Sequence, residues 1–367
     1  MKYWRGYLVA AIVTLCTWGL TEFAKAHVAL IDMVYPYVDR IVMDYLAAWS
    51  ADFAGCLWQT LLAFGIVLLV ASAVCMFVFR WNPIQWFGWV LAVFYTVSLL
   101  NTGIYGLNEH AGSIAEDVRL VKNNYTLDTL ERAAIYYRDN ANTYAYKVSR
   151  DSYGTLLGSD FETLNTKAVN GFDTLVYEQG YAVFSGTTLP VKKLGQPERY
   201  KGITGKTVGL TGEAAVNPEV PSVGMPFAIC HEMAHRMCIY SESDADFGAF
   251  LACTANTSPE FIYSGYLMAF RNCYNSLAAI GSVAADSALA RVVSGTSNQV
   301  MKDMEAYNTF LGKNATAADA ELSDLLVSWH IQEVARFEDT QEEENLFDPM
   351  DETHENLKDL IASGEGE

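Results

Sequence analysis

Two histidines and a glutamate stand at a spacing typical of metal-dependent hydrolases. Residues 231–235 read His-Glu-Met-Ala-His. Histidines four positions apart share one face of a helix, so the imidazoles of His231 and His235 can bind a single Zn²⁺. Glu232, beside the first of them, can take the proton of a metal-bound water. The pattern therefore predicts hydrolysis at one catalytic zinc ion.

A catalytic zinc site needs a third protein ligand and an open position. Glu242 is the best candidate, because it follows His235 after a short reversal and opens a second helix. Asp246, one turn further on, can accept the N–H of a ligand histidine and fix its tautomer. Asp244 is a second candidate ligand, although it is also placed to cap the helix. Two alternatives need no metal. Glu242 and Asp246 can simply be acidic residues that a helix N-terminus favours, and the histidines with Glu232 can form a hydrogen-bonded cluster in a core.

Start and stop signals predict the elements around the motif. Pro226 at a first helical position predicts a helix to about Met237, and Ser241 caps a second helix from Glu242. Residues 206–216 have the Thr, Val and Gly content of a strand. Helical patterning recurs from residue 130 to about residue 337. We therefore expect a mostly helical α+β domain with a small sheet.

The first third of the chain differs from the rest in charge. The 367 residues include 24 Lys+Arg and 43 Asp+Glu, a net charge of −19. Residues 1–105 contain five of each sign, so the whole net charge lies in residues 106–367. This distribution excludes a single soluble domain. It also excludes nucleic acid as an expected partner, because no basic patch is available to meet phosphates.

Apolar segments predict a membrane region over residues 1–110. Residues 53–79 carry no charge and exceed the roughly 20 apolar residues that a bilayer requires, and a second uncharged run follows Asn82-Pro83. The run after Arg5 is either a first span or a signal peptide. We take it as a span. The expected spans then lie at about 6–24, 56–79 and 86–105, with an external amphipathic link over residues 27–52.

Basic residues set the expected orientation. Lys2, Arg5 and Arg80 lie on the side of the bilayer that the positive-inside rule makes cytoplasmic. We therefore expect an integral membrane protein with an extracytoplasmic domain over residues 111–337 and an acidic tail over residues 338–367. Four cysteines of the outer part either form two disulfides or remain buried thiols; they are Cys230, Cys238, Cys253 and Cys273.

The motifs taken together resemble the domain-of-unknown-function 3810 family, bacterial membrane-anchored proteins regarded as HExxH zinc metallopeptidases. The similarity is clearest over about residues 200–275. It rests on the segments 202–205, 211–217, 226–235, 242–247, 251–253 and 263–267. Gly106-Leu107-Asn108 after the third span, and the order of three spans before one outer domain, also resemble the family.

The resemblance implies a zincin-like domain in a bacterial cell membrane, with a peptide or protein as substrate. It also implies that the strand-like segment 211–217 lines the substrate cleft. Glu213 and Asn217 there either contact substrate or bond to neighbouring backbone. Near its C-terminus the family carries a Ser-Tyr-Gly, and the corresponding place in this chain reads Glu352-Thr353-His354 instead. His354 is the candidate oxyanion donor in its place, or else a surface residue of the tail.

The chain departs from the family pattern beside the motif. Cys238 replaces a glycine in the turn after the second histidine, and such a turn can require positive φ. Cys238 is also a further candidate ligand, less suited than Glu242 because a thiolate-rich shell would close the open position. Ser241 replaces a basic residue, and Asp246 replaces an asparagine.

The sequence thus favours a membrane-anchored zinc endopeptidase with Glu232 as general base. The alternative from another class is a catalytically inactive, membrane-tethered zinc-binding scaffold or binding protein of the same fold, which Cys238 and the missing tyrosine motivate. An intramembrane protease would need its ligands inside a span, and the histidine helix lies far from the apolar runs. Strongly acidic peptides are poor candidate substrates, because like charges repel.

Overall fold

The computed structural model of the chain describes residues 4–346, with side chains as far as residue 336. This part of the chain is mostly helical. Its α-helices are α1 (Arg5–Ala26), α2 (Val28–Ala51), α3 (Leu57–Val78), α4 (Pro83–Ile104), α5 (Leu127–Ala145), α6 (Phe161–Asp173), α7 (Met225–Arg236), α8 (Glu242–Thr254), α9 (Pro259–Ile280), α10 (Val283–Ser294), α11 (Asn298–Leu311) and α12 (Ala320–Leu346). The two helices that the start signals predict, one to about Met237 and one from Glu242, are present as α7 and α8.

A small mixed sheet completes the fold. Its strands are β1 (Lys192–Lys193), β2 (Gly205–Val208) and β3 (Glu213–Val216), with β3 in the middle, parallel to β1 and antiparallel to β2. The single strand expected over residues 206–216 is wrong. Residues 209–212 form a turn, and Gly212 adopts a φ of 63° that favours glycine. The segment is therefore a hairpin, and β2 is an edge strand.

Three helices of 22 residues, α1, α3 and α4, are long and apolar enough to cross a bilayer. They closely match the expected spans at about 6–24, 56–79 and 86–105. α1 and α4 cross in close contact, because a Cβ atom at Gly6 would collide with the backbone of Gly88. The link expected over residues 27–52 is one helix, α2.

The domain core packs around α7, whose twelve residues are all buried. α8 and α9 lie against it, and large side chains fill the space between the helices. The largest of them that are fully buried include Phe247, Phe261, Tyr263 and Phe270. All seven cysteines are free thiols, and the four that could have formed disulfides are buried. The helix that carries His231 and His235 is thus surrounded by packed apolar residues.

The sheet is joined to the second of the apolar spans by a buried carboxylate. Glu213 on β3 accepts hydrogen bonds from the backbone N–H groups of Leu57 (2.7 Å) and Trp58 (2.8 Å), the first residues of α3. Lys192 on β1 pairs with the same carboxylate at 2.8 Å, and the Glu213 side chain is 0% exposed. A negative charge is favourable at a helix N-terminus. The contact therefore fixes α3 to the domain.

Replacing Glu213 with alanine should destabilise the whole chain. The Glu213→Ala change leaves the Lys192 ammonium without its carboxylate and two N–H groups at the start of α3 without their acceptor, a loss on the order of 3–5 kcal/mol for a buried pair. Thermal or denaturant unfolding in detergent measures it. The matched control is Glu219→Ala, an exposed residue of the same segment. Equal unfolding midpoints for the two variants would contradict the role of this contact.

Candidate metal centre

Three side chains from two consecutive helices converge on one point. Nε2 of His231 and Nε2 of His235 lie 3.3 Å and 3.6 Å from Oε2 of Glu242. The candidate ligand atoms of the three residues all lie within 4.8 Å of one another. The two rings come from one face of α7, with centroids 4.6 Å apart. The structure thus brings together the three residues that the sequence selected as metal ligands.

The turn between α7 and α8 brings Glu242 back over α7. Cys238 adopts a φ of 70°, and its N–H donates to the carbonyl of His235 at 3.0 Å. The N–H of Ile239 donates to the carbonyl of Ala234 at 3.2 Å. These two bonds define a Schellman motif, whose left-handed position usually holds glycine. Cys238 therefore occupies the position of positive φ that the turn requires.

The second nitrogen of each imidazole is bonded, which fixes the orientation of both rings. Nδ1 of His231 lies 2.7 Å from Oδ1 of Asp246, and Nδ1 of His235 lies 2.8 Å from the carbonyl oxygen of Ile239. Carboxylate and carbonyl oxygens accept hydrogen bonds, so Nδ1 carries the proton in both rings. Each Nε2 is then free to offer its lone pair to a metal ion.

Glu232 is buried beside the two histidines, and its carboxylate is bonded to the sheet. Oγ1 of Thr207 on β2 donates to Oε2 of Glu232 at 2.7 Å. Gly205 on the same strand makes room for this side chain, because a Cβ atom there would overlap it. Burial raises the pKa of Glu232, although the neighbouring imidazoles and Thr207 act in the opposite sense.

The charges of the site are arranged to hold a cation. Burial alone lowers the pKa of His231, but the carboxylates of Asp246, Glu242 and Glu232 raise it well above its usual value. Hydrogen bonds with His231 and His235 hold the pKa of Glu242 well below its usual range. Two imidazoles and a carboxylate are a usual donor set for catalytic Zn²⁺. The Glu242 side chain is 80% exposed, which leaves one side of the site open.

A cavity of about 1110 Å³ opens at this centre. Its walls include α2, the segment after α4, and residues 202–207, so β2 borders it. The cleft strand expected at residues 211–217 is therefore corrected: β3 is the buried middle strand, and the edge strand β2 faces the cleft. Acidic residues predominate among the charged groups of the walls, which include Asp32, Glu109, Asp117, Glu242, Arg40 and Lys206.

The other candidate residues have contacts of their own. Asp244 accepts a hydrogen bond from Ser113 Oγ at 2.7 Å, and Sγ of Cys238 lies 3.7 Å from Oδ2 of Asp39. Glu213 bonds to α3, as described above. Asn217 donates to two backbone carbonyls at 2.9 and 3.0 Å. Of the two roles expected for Glu213 and Asn217, their contacts match hydrogen bonding to backbone rather than contact with substrate. His354 lies outside the described residues.

Three residues near the centre have no counterpart among the sequence-based candidates. Thr207 bonds to Glu232. Tyr105, which follows α4, donates through its hydroxyl to the carbonyl of His235 at 3.1 Å. Nε of Arg40 on α2 donates to the carbonyl of Met237 at 3.0 Å. All three contacts join residues distant in the sequence, so no local spacing could have shown them.

Comparison with known proteins gives a family and no characterised relative. No curated protein and no solved structure matches the chain. The profile of the family described as "Protein of unknown function (DUF3810)" matches residues 31–327, a range that begins in α2 and ends in α12. The match covers most of the chain, including two of the apolar spans and all residues of the candidate metal centre. The chain belongs to the DUF3810 family.

Proposed function

We propose that this protein is a membrane-anchored zinc metallopeptidase with a zincin-like catalytic domain. The observation that carries the proposal is the convergence of His231, His235 and Glu242 beside the buried carboxylate of Glu232. The spacing of these four residues, the bonded Nδ1 atoms and the open side of the site all support a catalytic rather than a structural metal ion. The cleft is large enough for an extended polypeptide.

The residues of the site have distinct tasks in this proposal. Zn²⁺ held by His231, His235 and Glu242 supplies Lewis-acid activation of a water molecule and of the scissile carbonyl. The Glu232 carboxylate takes a proton from the attacking water and gives it to the leaving amine. A raised pKa suits this exchange, because the group must both accept and release a proton near neutral pH. The edge strand β2 offers unpaired backbone groups to an extended substrate.

The proposed location is the extracytoplasmic face of a bacterial cell membrane. Arg5 begins α1, and Arg80 lies in the turn between α3 and α4. Both therefore lie at the ends of the spans away from the domain. The positive-inside rule makes that side cytoplasmic. The domain with the cleft then lies outside, and its acidic surface disfavours acidic peptides.

Zinc content is the first test. We expect detergent-purified full-length protein to contain about one zinc ion per chain, because the donor set is complete. His231→Ala and Glu242→Ala should each lose most of the metal, whereas Glu232→Gln should keep it. His27→Ala, at an exposed histidine, is the control. Wild-type protein that binds no zinc under these conditions would contradict the proposal.

Cleavage is the second test. With a broad peptide library as substrate, Glu232→Gln should reduce the rate by a factor of roughly 10² to 10⁴, because the general base is lost. Glu162→Gln removes the same charge on the exposed surface of α6 and should leave the rate unchanged. A zinc-loaded wild-type protein that cleaves nothing in the library would instead favour the inactive scaffold.

The pH dependence tests the contact between Thr207 and Glu232. Thr207→Val removes a hydrogen bond that stabilises the charged carboxylate, so the pKa of Glu232 should rise further. The acidic limb of the profile of kcat/KM against pH should then move to higher pH. Thr207→Ser keeps the hydroxyl and should restore the wild-type limb. An unmoved limb in Thr207→Val would show that this contact does not tune the base.

A further inference from the structure

Helix α2 has two opposite faces. Seven buried residues form one of them: Ile31, Pro36, Asp39, Arg40, Met43, Ala47 and Ser50. Six exposed apolar residues recur every three or four positions on the other: Leu30, Val34, Val38, Ile41, Tyr45 and Trp49. We call these six residues the apolar stripe. A continuous exposed stripe of this kind on a helix marks a contact surface.

The buried face is fastened to the domain along the whole helix. Asp32 accepts a hydrogen bond from the N–H of Gly112 at 2.9 Å, near the start of α2. Arg40 bonds to Met237 in the middle, and Lys192 Nζ donates to the carbonyl of Ser50 at 2.6 Å near the end. The stripe lies on the opposite side of the helix. It therefore points away from the domain.

Both ends of α2 are tied to apolar spans. One residue, His27, separates α1 from α2, and residues 52–56 separate α2 from α3. A helix of 24 residues is roughly 36 Å long, and it must run from the end of one span to the start of the next on the same side of the bilayer. The helix therefore stays at the membrane surface, and the face turned away from the domain is turned towards lipid.

We propose that α2 is an in-plane membrane helix whose apolar stripe lies in the leaflet on the domain's side, so that the bilayer borders the metal cleft and the cleft takes segments of membrane-anchored polypeptides. Tyr45 and Trp49 are residue types that prefer the boundary between headgroups and acyl chains. An amphipathic helix at this boundary buries its apolar face about 5–10 Å deep.

The same helix forms a wall of the cleft. Met33 and Tyr37 line the cavity from the flank of α2, between the stripe and the buried face, and Arg40 lines it from the buried face. A polypeptide that leaves the bilayer beside α2 thus meets the cleft within a short length of chain. This substrate class rests on the proposed peptidase function, whereas the position of α2 does not.

Nitroxide labels in proteoliposomes test the position of α2. Single cysteines are introduced on the stripe by Ile41→Cys and Tyr45→Cys, and on the exposed domain surface by Tyr153→Cys. The background carries Cys16→Ser, because Cys16 is an exposed thiol. The nitroxide signal of this background without an introduced cysteine is subtracted from each measurement. The ratio of collisions with oxygen to collisions with a water-soluble nickel chelate should be several-fold larger at the stripe positions than at residue 153.

Each other result would overturn the proposal. A high nickel collision rate at residues 41 and 45 would place the stripe in water. Low rates with both reagents would mean that protein covers the stripe, either a second copy of the chain or another partner. Reconstitution of the full chain is needed, because the geometry depends on the spans.

Cleavage tests the substrate class with the same proteoliposomes. A peptide library attached to a lipid anchor is compared with the same library in solution. The soluble library is supplied at the local concentration that the anchored library reaches at the membrane surface. At this matched concentration we expect the anchored library to be cleaved at least about tenfold faster than the soluble one. Equal matched rates would overturn the substrate class. No cleavage of either library would overturn the proposed function and this class with it, while the labels still decide the position of α2.

Discussion

The convergence of His231, His235 and Glu242 depends on the backbone reversal between α7 and α8. A helix that carries two imidazoles on one face can offer only two ligands, and the third must return from beyond its end. The Schellman turn at Cys238 achieves this within six residues. The same turn presents the carbonyl of Ile239 to His235. One local backbone geometry therefore both orients a ligand and brings Glu242 to the point where the two Nε2 atoms meet.

Burial gives this arrangement its chemical character. Charged and polar groups inside a protein are costly unless they are paired, and α7 buries two histidines and a glutamate among packed apolar side chains. Each of these groups has a defined partner in Asp246, Ile239 or Thr207. The two Nε2 atoms face the Glu242 carboxylate. The three groups thus lie close enough together for one divalent cation to contact all of them.

Local patterns in the sequence were sufficient for much of this architecture. The two histidines, Glu242 and Asp246 could be selected because helical periodicity and a short reversal fix their relative positions. The three apolar spans followed from length and composition alone. The sequence predicts one strand over residues 206–216, because Thr and Val stand on both sides of the turn. These residues form a hairpin instead, with Gly209 and Gly212 in its turn.

Contacts between distant segments were beyond such patterns. Nothing near Thr207 or Tyr105 in the sequence shows that they bond to α7, because only the fold brings β2 and the end of α4 next to that helix. Glu213 was considered for the cleft, yet its carboxylate holds the start of α3 from the other side of the sheet. The sequence cannot show which side of the sheet Glu213 faces, because it does not show that β3 is the middle strand.

The hydrogen bond from Tyr105 to the carbonyl of His235 has a mechanical consequence. Tyr105 directly follows the last residue of α4, so a helix apolar enough to cross a bilayer ends one side chain away from a candidate ligand. Helices of this kind change their tilt with the thickness of the surrounding lipid. A change of tilt in α4 must be absorbed by this bond or by the turn at Cys238. In a bilayer, the position of the His235 backbone is therefore coupled to the thickness of the lipid around α4.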